Sequence, residues 1–386
     1  TLATRGRLCL RAVPHYAGHV LGAVMWEVYV CRDDASPGSR PLCSFLYTGD
    51  FNMTPDRHVG GASVPRGLAP DLLISESTYG TKVRSSKKAR ERQLLSRIAA
   101  TVQRGGKVLI PVFALGRAQE LCILLDDAWE RLGFTTPVLF SAGLASRVTD
   151  AYAMLSSWAS QRVKRLQTTR NVFQFRHVIP FDERRHSRLL DTPGPLVLFA
   201  TPGMLHAGTS LQVFKKWAGD PLNTVIIPGF CEAGTVGGKL LAGHRGAIRM
   251  EAGAPPLHVA CDVQPLSFSA HADCKGIWQL ILQCTPAAVM FVHGERQVMA
   301  QLATKVAADF GVPTFTPAVG EVVEVQAAAA TTTTVSVSAA VSSALQRKRG
   351  ATVVAGVTND DTVVSADEYI ARKQLKRCRV SLGDAN

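Results

Sequence analysis

The feature that most constrains the fold is a change in the predicted secondary structure at about residue 86. The sequence predicts short β segments before this position and alternating strands and helices after it. Apolar runs occur at 107–113, 137–140, 195–199 and 224–228, and helical patterns follow the first three of them. Short apolar runs of this kind are typical of strands buried on both faces. Their alternation with helices predicts an α/β architecture with a parallel sheet covered on both faces.

The segments before and after this alternating region have a different pattern of apolar residues. Residues 6–80 contain short apolar segments with little helical pattern, and they predict a β-rich layer. Residues 262–325 have a pattern closer to that of residues 6–80. Strands are predicted there at 264–268, 288–292 and 321–325, and helices at 273–283 and 296–310. A domain that is interrupted by another domain accounts for this order most simply.

Four segments follow from this organisation. We predict a first domain part at 1–85, an inserted domain at 86–261, a closing part at 262–326, and a linker with a small C-terminal module at 327–386. The linker is indicated by a run of four Ala and four Thr at 327–334.

Five polar residues stand at predicted strand ends, each close to Gly, Ser or Ala. They are His19, Asp50, Glu76, His271 and His293. Each one alone fits a solvated strand end or a structural hydrogen bond, but together they fit a zinc hydrolase, because zinc binds imidazole nitrogen and carboxylate oxygen. The nine cysteines are dispersed without any Cys-x-x-Cys pair, so they do not indicate a zinc site. The pattern predicts a metal site and leaves its reaction open.

Longer motifs surround these residues in a fixed order. They are TGDFNMTPDRH at 48–58, ESTYG at 76–80, IPVFALGRAQE at 110–120, SFSAHAD at 267–273 and VHGE at 292–295. Through them the sequence resembles the metallo-β-lactamase/β-CASP RNA endonucleases over about residues 6–325. The resemblance implies a metallo-β-lactamase αββα sandwich, incomplete at the N-terminus, interrupted by a β-CASP parallel-sheet domain and followed by a small C-terminal module.

The resemblance also implies a role for each strand-end residue. His19 would bind one zinc ion, Asp50 would bridge two, and His293 would bind the second. Glu76 would orient His271 by a hydrogen bond, and His271 would act as the general acid on the leaving oxygen. Such a pair of metal ions stabilises both the attacking hydroxide and the developing phosphate charge.

One family motif has no counterpart in this sequence. The family carries a His-x-His-x-Asp-His run upstream of the position of His19, and no His-x-His occurs anywhere in the chain. We therefore expect an N-terminal truncation or a partial gene model. Zinc sites usually have about three or four protein ligands, so we expect this chain to bind zinc weakly and to be inactive alone. The full-length protein is expected to be active with two Zn²⁺ ions.

The net charge of +13 favours a polyanionic partner such as RNA. Nine Lys/Arg and one Glu give 82–107 a net charge of +8, and eight Lys/Arg and two acids give 162–188 a net charge of +6. Both clusters fit solvated helix faces or an RNA path over the metal site. The candidate RNA contacts are Lys87, Lys88, Arg117, Lys164 and Arg165. Phe173, Phe175 and Phe181, within the second cluster, would suit base stacking.

Three further motifs favour the Integrator branch of the family over its polyadenylation branch. They are TPGMLHAG at 201–208, KWAG at 216–219 and PGFCEAGTVG at 228–237. This branch implies cleavage of RNA in snRNA 3′-end processing and cleavage of nascent transcripts. It also implies location in the nucleus, with the cytoplasm as a second location. It also implies contact with other Integrator subunits, including a non-catalytic homologue bound through the C-terminal region. The basic tail at 372–379 equally fits RNA binding or nuclear import. No run of eighteen apolar residues occurs, so we expect no membrane partner.

Three other functions remain open. The chain could serve as the pre-mRNA 3′-end endonuclease of the polyadenylation branch, as a non-catalytic scaffold of the same fold, or as a small-molecule metallohydrolase. Retention of all five strand-end residues argues against the scaffold. The metallohydrolase leaves the inserted domain and the charge of +13 unexplained.

Overall fold

A computed structural model of the chain describes residues 3–5, 8–32, 41–141, 143–250, 255–325, 336–337, 356–357 and 362–364. The chain divides into two compact units, Thr1–Ala327 and Ala328–Asn386.

The larger unit contains both strands and helices. The strands, in chain order, are β1 (Ala3–Arg5), β2 (Leu8–Tyr16), β3 (Val24–Arg32), β4 (Cys43–Tyr47), β5 (Leu72–Glu76), β6 (Lys107–Pro111), β7 (Val138–Ser141), β8 (Val178–Phe181), β9 (Leu196–Ala200), β10 (Thr224–Ile227), β11 (Gly246–Ile248), β12 (Leu257–Val259), β13 (Asp262–Pro265), β14 (Val289–Val292) and β15 (Thr314–Phe315). The helices are α1 (Lys87–Gln103), α2 (Arg117–Leu132), α3 (Gly143–Met154), α4 (Gln161–Gln167), α5 (Glu183–Asp191), α6 (Gly208–Trp217), α7 (Val236–Leu241), α8 (Cys274–Cys284) and α9 (Arg296–Phe310), with a 3-10 helix at Ser156–Trp158.

A seven-stranded mixed sheet joins the two ends of the larger unit, in the order β1-β2-β3-β4-β5-β14-β15. Strands β1 to β4 are antiparallel neighbours, whereas β4, β5, β14 and β15 run parallel to one another. Helices α8 and α9 cover this sheet with Ile277, Leu280 and Leu302, which pack with Leu73 and Phe291. Because β5 and β14 are neighbours, the chain leaves this sheet after β5 and returns to it much later.

The intervening segment forms a six-stranded sheet in the order β13-β10-β6-β9-β7-β8, and every neighbouring pair is parallel. Side chains alternate between its faces: Val108 and Ile110 of β6 pack in a cluster with α1 and α2, whereas Leu109 packs in a cluster with α6 and α7. Helices therefore cover both faces, which explains why these strands are apolar at successive positions. The predicted α/β class with a parallel-sheet domain is confirmed.

Two predicted strands differ from the structure. The predicted closing strand at 321–325 is wrong, because these residues have no regular structure and β15 at Thr314–Phe315 forms the sheet edge instead. Val322 there is 87% exposed, so the run of valines has no packing partner that would hold it as a strand. The strand predicted at 264–268, within the closing part at 262–326, lies at Asp262–Pro265. It pairs with β10, so it extends the six-stranded sheet of the inserted segment.

An apolar cluster holds the inserted segment against the first part of the chain. Val59 packs with Ile123 of α2, Tyr152 of α3 and Phe173, and Tyr16 joins the edge of the cluster. This contact fixes the inserted segment beside the residues that follow β4.

In the smaller unit, three short strands are described: β16 (Ser336–Val337), β17 (Gly356–Val357) and β18 (Thr362–Val364). β18 lies between the other two, parallel to β16 and antiparallel to β17. The basic tail at 372–379 and most of the predicted C-terminal module lie outside the described residues. None of the helices within the described ranges combines the length and apolarity that crossing a membrane requires.

Candidate metal and catalytic site

The parallel part of the seven-stranded sheet brings the strand-end residues together. Strand β5 ends at Glu76, which is paired in register with Val292, and His293 follows directly. In the neighbouring strand Tyr47 pairs with Ile74, and Asp50 lies three residues beyond it. Since parallel strands end at the same edge of a sheet, these side chains converge there.

Asp50 lies at the centre of the cluster. Its Oδ1 is 3.0 Å from Nδ1 of His293 and 3.9 Å from Nδ1 of His271, and its Oδ2 is 3.9 Å from Nε2 of His19. The two carboxylate oxygens thus approach imidazoles that come from distant parts of the chain.

Glu76 is a buried acceptor for His271. The side chain is 1% exposed, and its Oε2 lies 2.6 Å from Nδ1 of His271, although the two residues are 195 positions apart. Thr78 donates its hydroxyl to the same oxygen at 2.7 Å, and the amide of Phe51 donates to Oε1 at 2.8 Å. Burial alone would lower the pKa of His271, but the hydrogen bond to Glu76 and its charge outweigh burial and raise that pKa. His271 therefore holds its proton more tightly than an ordinary histidine.

The backbone helps to position the two other histidines. Nδ1 of His19 lies 3.1 Å from the carbonyl oxygen of Ala270, which leaves Nε2 on the side of Asp50. Burial, followed by the nearby charge of His271, lowers the pKa of His19, which favours the neutral form that binds metals. His293 has a positive φ of 51°, and at the next residue, Gly294, a Cβ would lie 2.2 Å from Oγ of Ser77. Only glycine fits that close approach.

The donor atoms fit a bound zinc ion. Ligand atoms of Asp50, Glu76, His271 and His293 all lie within 4.8 Å of one another. Carboxylate oxygen and imidazole nitrogen are zinc's usual donors, and a carboxylate that faces two imidazoles suits a bridging position. Within this group Asp50 and His293 offer donors for a metal ion, whereas Glu76 is engaged with His271, and His19 is not part of the group.

The five candidate RNA contacts have different surroundings. Lys88, Lys164 and Arg165 are exposed. Arg117 donates to Asp56 at 3.1 Å, and Nζ of Lys87 lies 2.7 Å from Glu120, so these two cations are already paired. Phe173 is only 5% exposed, and the suggestion that it stacks on bases is wrong because it packs in the apolar cluster with Val59. RNA binding by the five cations stays a prediction.

Two exposed aromatic residues in the cleft were not predicted. A cleft of about 590 Å³ is lined by the three site imidazoles and by Phe113 and Phe230, which are 44% and 46% exposed. Both follow buried strands, β6 and β10, and they lie inside the motifs at 110–120 and 228–237. An apolar residue just past a strand end is the signal that would have found them.

Comparisons with known proteins identify the types of domain in the chain. The Beta-Casp domain family matches residues 118–240, and the Zn-dependent metallo-hydrolase RNA specificity domain matches residues 256–317. Integrator complex subunit 11 of Gallus gallus is 50% identical over 311 residues, 81% of this chain and 49% of that protein. Cleavage and polyadenylation specificity factor subunit 3-II of Arabidopsis thaliana is 50% identical over 309 residues, 80% of this chain and 48% of that protein.

A third relative is more distant. Cleavage and polyadenylation specificity factor 73 of Drosophila melanogaster is 36% identical over 295 residues, 76% of this chain and 41% of that protein. The chain thus spans about half the length, or less, of the curated relatives it matches. The two domain matches, the sequence identities and the parallel-sheet insertion together show that the chain belongs to the metallo-β-lactamase/β-CASP family.

Proposed function

We propose that this chain forms the catalytic part of a zinc-dependent RNA endonuclease of the Integrator complex. It would hydrolyse phosphodiester bonds in snRNA 3′-end processing and in nascent transcripts. The observation that carries the proposal is the pairing of Glu76 with His271 at 2.6 Å, beside a carboxylate that faces two further imidazoles. The 50% identity to an Integrator complex subunit 11 supports the choice of complex.

His19, Asp50 and His293 would hold the zinc. When bound, zinc lowers the pKa of its water toward neutrality and stabilises negative charge on a phosphate. These three residues alone would provide two zinc ions with fewer protein ligands than tight zinc sites have. This shortage supports weak zinc binding and inactivity of this chain alone.

His271 would donate a proton to the oxygen that leaves the phosphorus. Glu76 engages Nδ1, so the transferable proton sits on Nε2. Its raised pKa keeps a larger fraction of His271 protonated at neutral pH, as a general acid requires.

Single-stranded RNA would lie in the cleft between the sheet edge and the inserted β-CASP domain. Phe113 and Phe230 offer flat apolar faces there, and stacking on such faces binds unpaired bases of any sequence. The exposed cations Lys88, Lys164 and Arg165 would contact phosphates outside the cleft. We propose the domain division 1–85, 86–261, 262–326 and 327–386, with β13 at the start of the third segment completing the sheet of the second. The last segment would bind a non-catalytic homologous subunit in the nucleus.

The polyadenylation branch supplies a second candidate function. A cleavage and polyadenylation specificity factor subunit of Arabidopsis thaliana is also 50% identical to this chain, so pre-mRNA 3′-end cleavage is the alternative that identity supports. Cleavage assays on snRNA precursors and on polyadenylation-site RNA, each with the matching partner subunits, distinguish the two.

The decisive experiment measures zinc stoichiometry and cleavage of single-stranded RNA. It compares this chain with a fusion that supplies the N-terminal region of the Gallus gallus relative. We expect the fusion to bind two zinc ions and to cleave RNA. Its His271→Ala variant should bind zinc equally well and cleave at least ~100-fold more slowly. A fusion that binds two zinc ions but leaves RNA intact, even with partner subunits, would establish the scaffold instead.

A further inference from the structure

A buried arginine lies against the loop that carries His271. The side chain of Arg84 is 8% exposed. Its Nη1 donates to the carbonyl oxygen of Ser269 at 2.6 Å, and its Nη2 donates to the carbonyl oxygen of His271 at 2.5 Å. One planar guanidinium therefore holds the backbone on both sides of Ala270.

The carbonyl of Ala270 accepts from the other side of the loop. It lies 3.1 Å from Nδ1 of His19, so three successive carbonyl oxygens are all engaged. A rotation of this backbone that released Arg84 would also move the acceptor of His19. The conformation of the loop thus sets the orientation of two imidazoles of the site at once.

Arg84 is itself fixed from several directions. Its amide donates to Oδ2 of Asp273 at 3.0 Å, and its Nε lies 3.7 Å from the same oxygen. Asp273 caps α8 by accepting from the amide of Gly276 at 3.1 Å. The guanidinium also lies over the ring of Tyr79, 5.8 Å from the ring centroid. Tyr79 follows Glu76 by three residues, so Arg84 connects the Glu76 segment with the His271 loop.

We propose that Arg84 is a positioning residue, which holds the imidazole of His271 against Glu76 and the carbonyl of Ala270 towards His19. A lysine could reach only one of the two carbonyls in a comparable way, because its ammonium lacks the planar fork of a guanidinium. An alanine would leave two partly buried carbonyls without this donor. The expected effect on RNA cleavage rests on the proposed function, whereas the expected effect on the loop that carries His271 does not.

The first test separates kcat from KM in RNA cleavage by the zinc-loaded fusion. Arg84→Ala should lower kcat by about 10- to 100-fold, the usual effect of removing a group that orients a site residue, with KM little changed. Added guanidinium ions at millimolar concentration should restore part of the lost kcat. Arg131→Ala is the matched control, since Arg131 is an exposed arginine of α2 outside both basic clusters and should keep the wild-type kcat. Equal kcat values for Arg84→Ala and Arg131→Ala would overturn the proposal.

The second test needs no activity. Diethyl pyrocarbonate modifies accessible histidines, and peptide mass spectrometry reports the rate at His271 in this chain. We expect faster modification of His271 in Arg84→Ala and in Arg84→Lys than in the wild type or Arg131→Ala, because a loosened loop exposes the imidazole. Arg84→Lys keeps the charge and covers the case in which the alanine variant fails to fold. Unchanged rates in a folded Arg84→Lys variant would refute the positioning role, whereas absence of RNA cleavage in the wild-type fusion would count only against the proposed function.

Discussion

At the scale of single residues, Asp50 is the side chain on which the candidate metal site depends most. Its Oδ1 faces His293 and its Oδ2 faces His19, at 3.0 Å and 3.9 Å. A neutral amide keeps the shape but offers one weaker oxygen and one nitrogen that cannot bind a cation. We therefore expect that even the closest isostere cannot replace this carboxylate.

Asp50→Asn should weaken zinc binding by more than the ~10- to 100-fold that loss of an outer hydrogen-bonding partner costs. Competition with a fluorescent zinc chelator measures the affinity. Asp191→Asn serves as the control, because Asp191 is an exposed acid that pairs with Lys216 on the surface. Equal affinities for the two variants would show that zinc binds somewhere else.

Phe113 tests the RNA path at the same scale. The ring packs against Gly203, where a Cβ would lie 3.2 Å from its ring atoms, so one face is held while 44% of the side chain stays exposed. Phe113→Ala should weaken binding of single-stranded RNA by about 1–3 kcal/mol, the usual contribution of one stacked base. Fluorescence anisotropy at fixed salt measures the Kd. Trp158→Ala, at an exposed aromatic residue that does not line the cleft, should leave the Kd unchanged; a similar loss there would argue for non-specific binding.

At the scale of elements, a buried ion network joins the segment after Asp50 to helices α1 and α2. Oε2 of Glu120 accepts from the amides of Arg57 and His58 at 2.7 Å and 3.2 Å, and lies 2.8 Å from Nδ1 of His58. Oε1 lies 2.7 Å from Nζ of Lys87 of α1, and Arg57 pairs with Glu91 of the same helix. This network positions the inserted helices beside the candidate metal site.

The network gives a pH-dependent prediction at Glu120. Burial alone would raise the pKa of Glu120, but the hydrogen bond and charge of His58, with Lys87 and Arg117, outweigh it and hold that pKa far below its usual value. A depressed pKa contributes stability that is complete above the unfolded-state value of ~4.3 and is lost as the pH falls below it. Glu120→Gln should therefore cost roughly 3 kcal/mol at pH 7, with a smaller difference from the wild type below about pH 4.

Urea unfolding of both proteins across this pH range measures the difference. Glu130→Gln is the control, since Glu130 is half exposed and pairs with Arg176 on the surface, where such pairs contribute at most about 1 kcal/mol. A cost for Glu120→Gln that stays constant from pH 7 to pH 3 would mean that the carboxylate charge does not stabilise the fold.

At the scale of the whole molecule, the net charge of +13 should govern RNA binding. Each phosphate that is neutralised on a single strand contributes about −0.7 to the slope of log K against log salt concentration. The double variant Lys164→Glu, Arg165→Glu on α4 should therefore make the slope less negative by about 1.4 or more. Binding isotherms at several salt concentrations measure it, and an unchanged slope would move the RNA path away from α4.

Particular residues show how far the sequence could predict this molecule. Buried strands at 107–113 and 195–199 were predictable because an apolar run carries its own signal. The run EVVEV at 321–325 is rich in valine, which also favours a strand, but it forms no strand, since a strand needs a neighbour that local sequence does not contain. No sequence pattern marked Arg84 as a positioning residue, because it contacts carbonyls that lie more than 180 residues away in the chain.

The sequence by itself determined the α/β class, the alternation of strands and helices, and the chemical types of the five strand-end residues. Periodicity and residue chemistry are local properties, so they can be recognised without knowledge of the fold. Only the tertiary structure decided that β5 lies beside β14, which brings Glu76 next to His271 and His293. It also decided that Arg117 and Lys87 face carboxylates instead of solvent. The reason is that the partner of a charge or a strand is fixed by chain topology, which a local pattern does not encode.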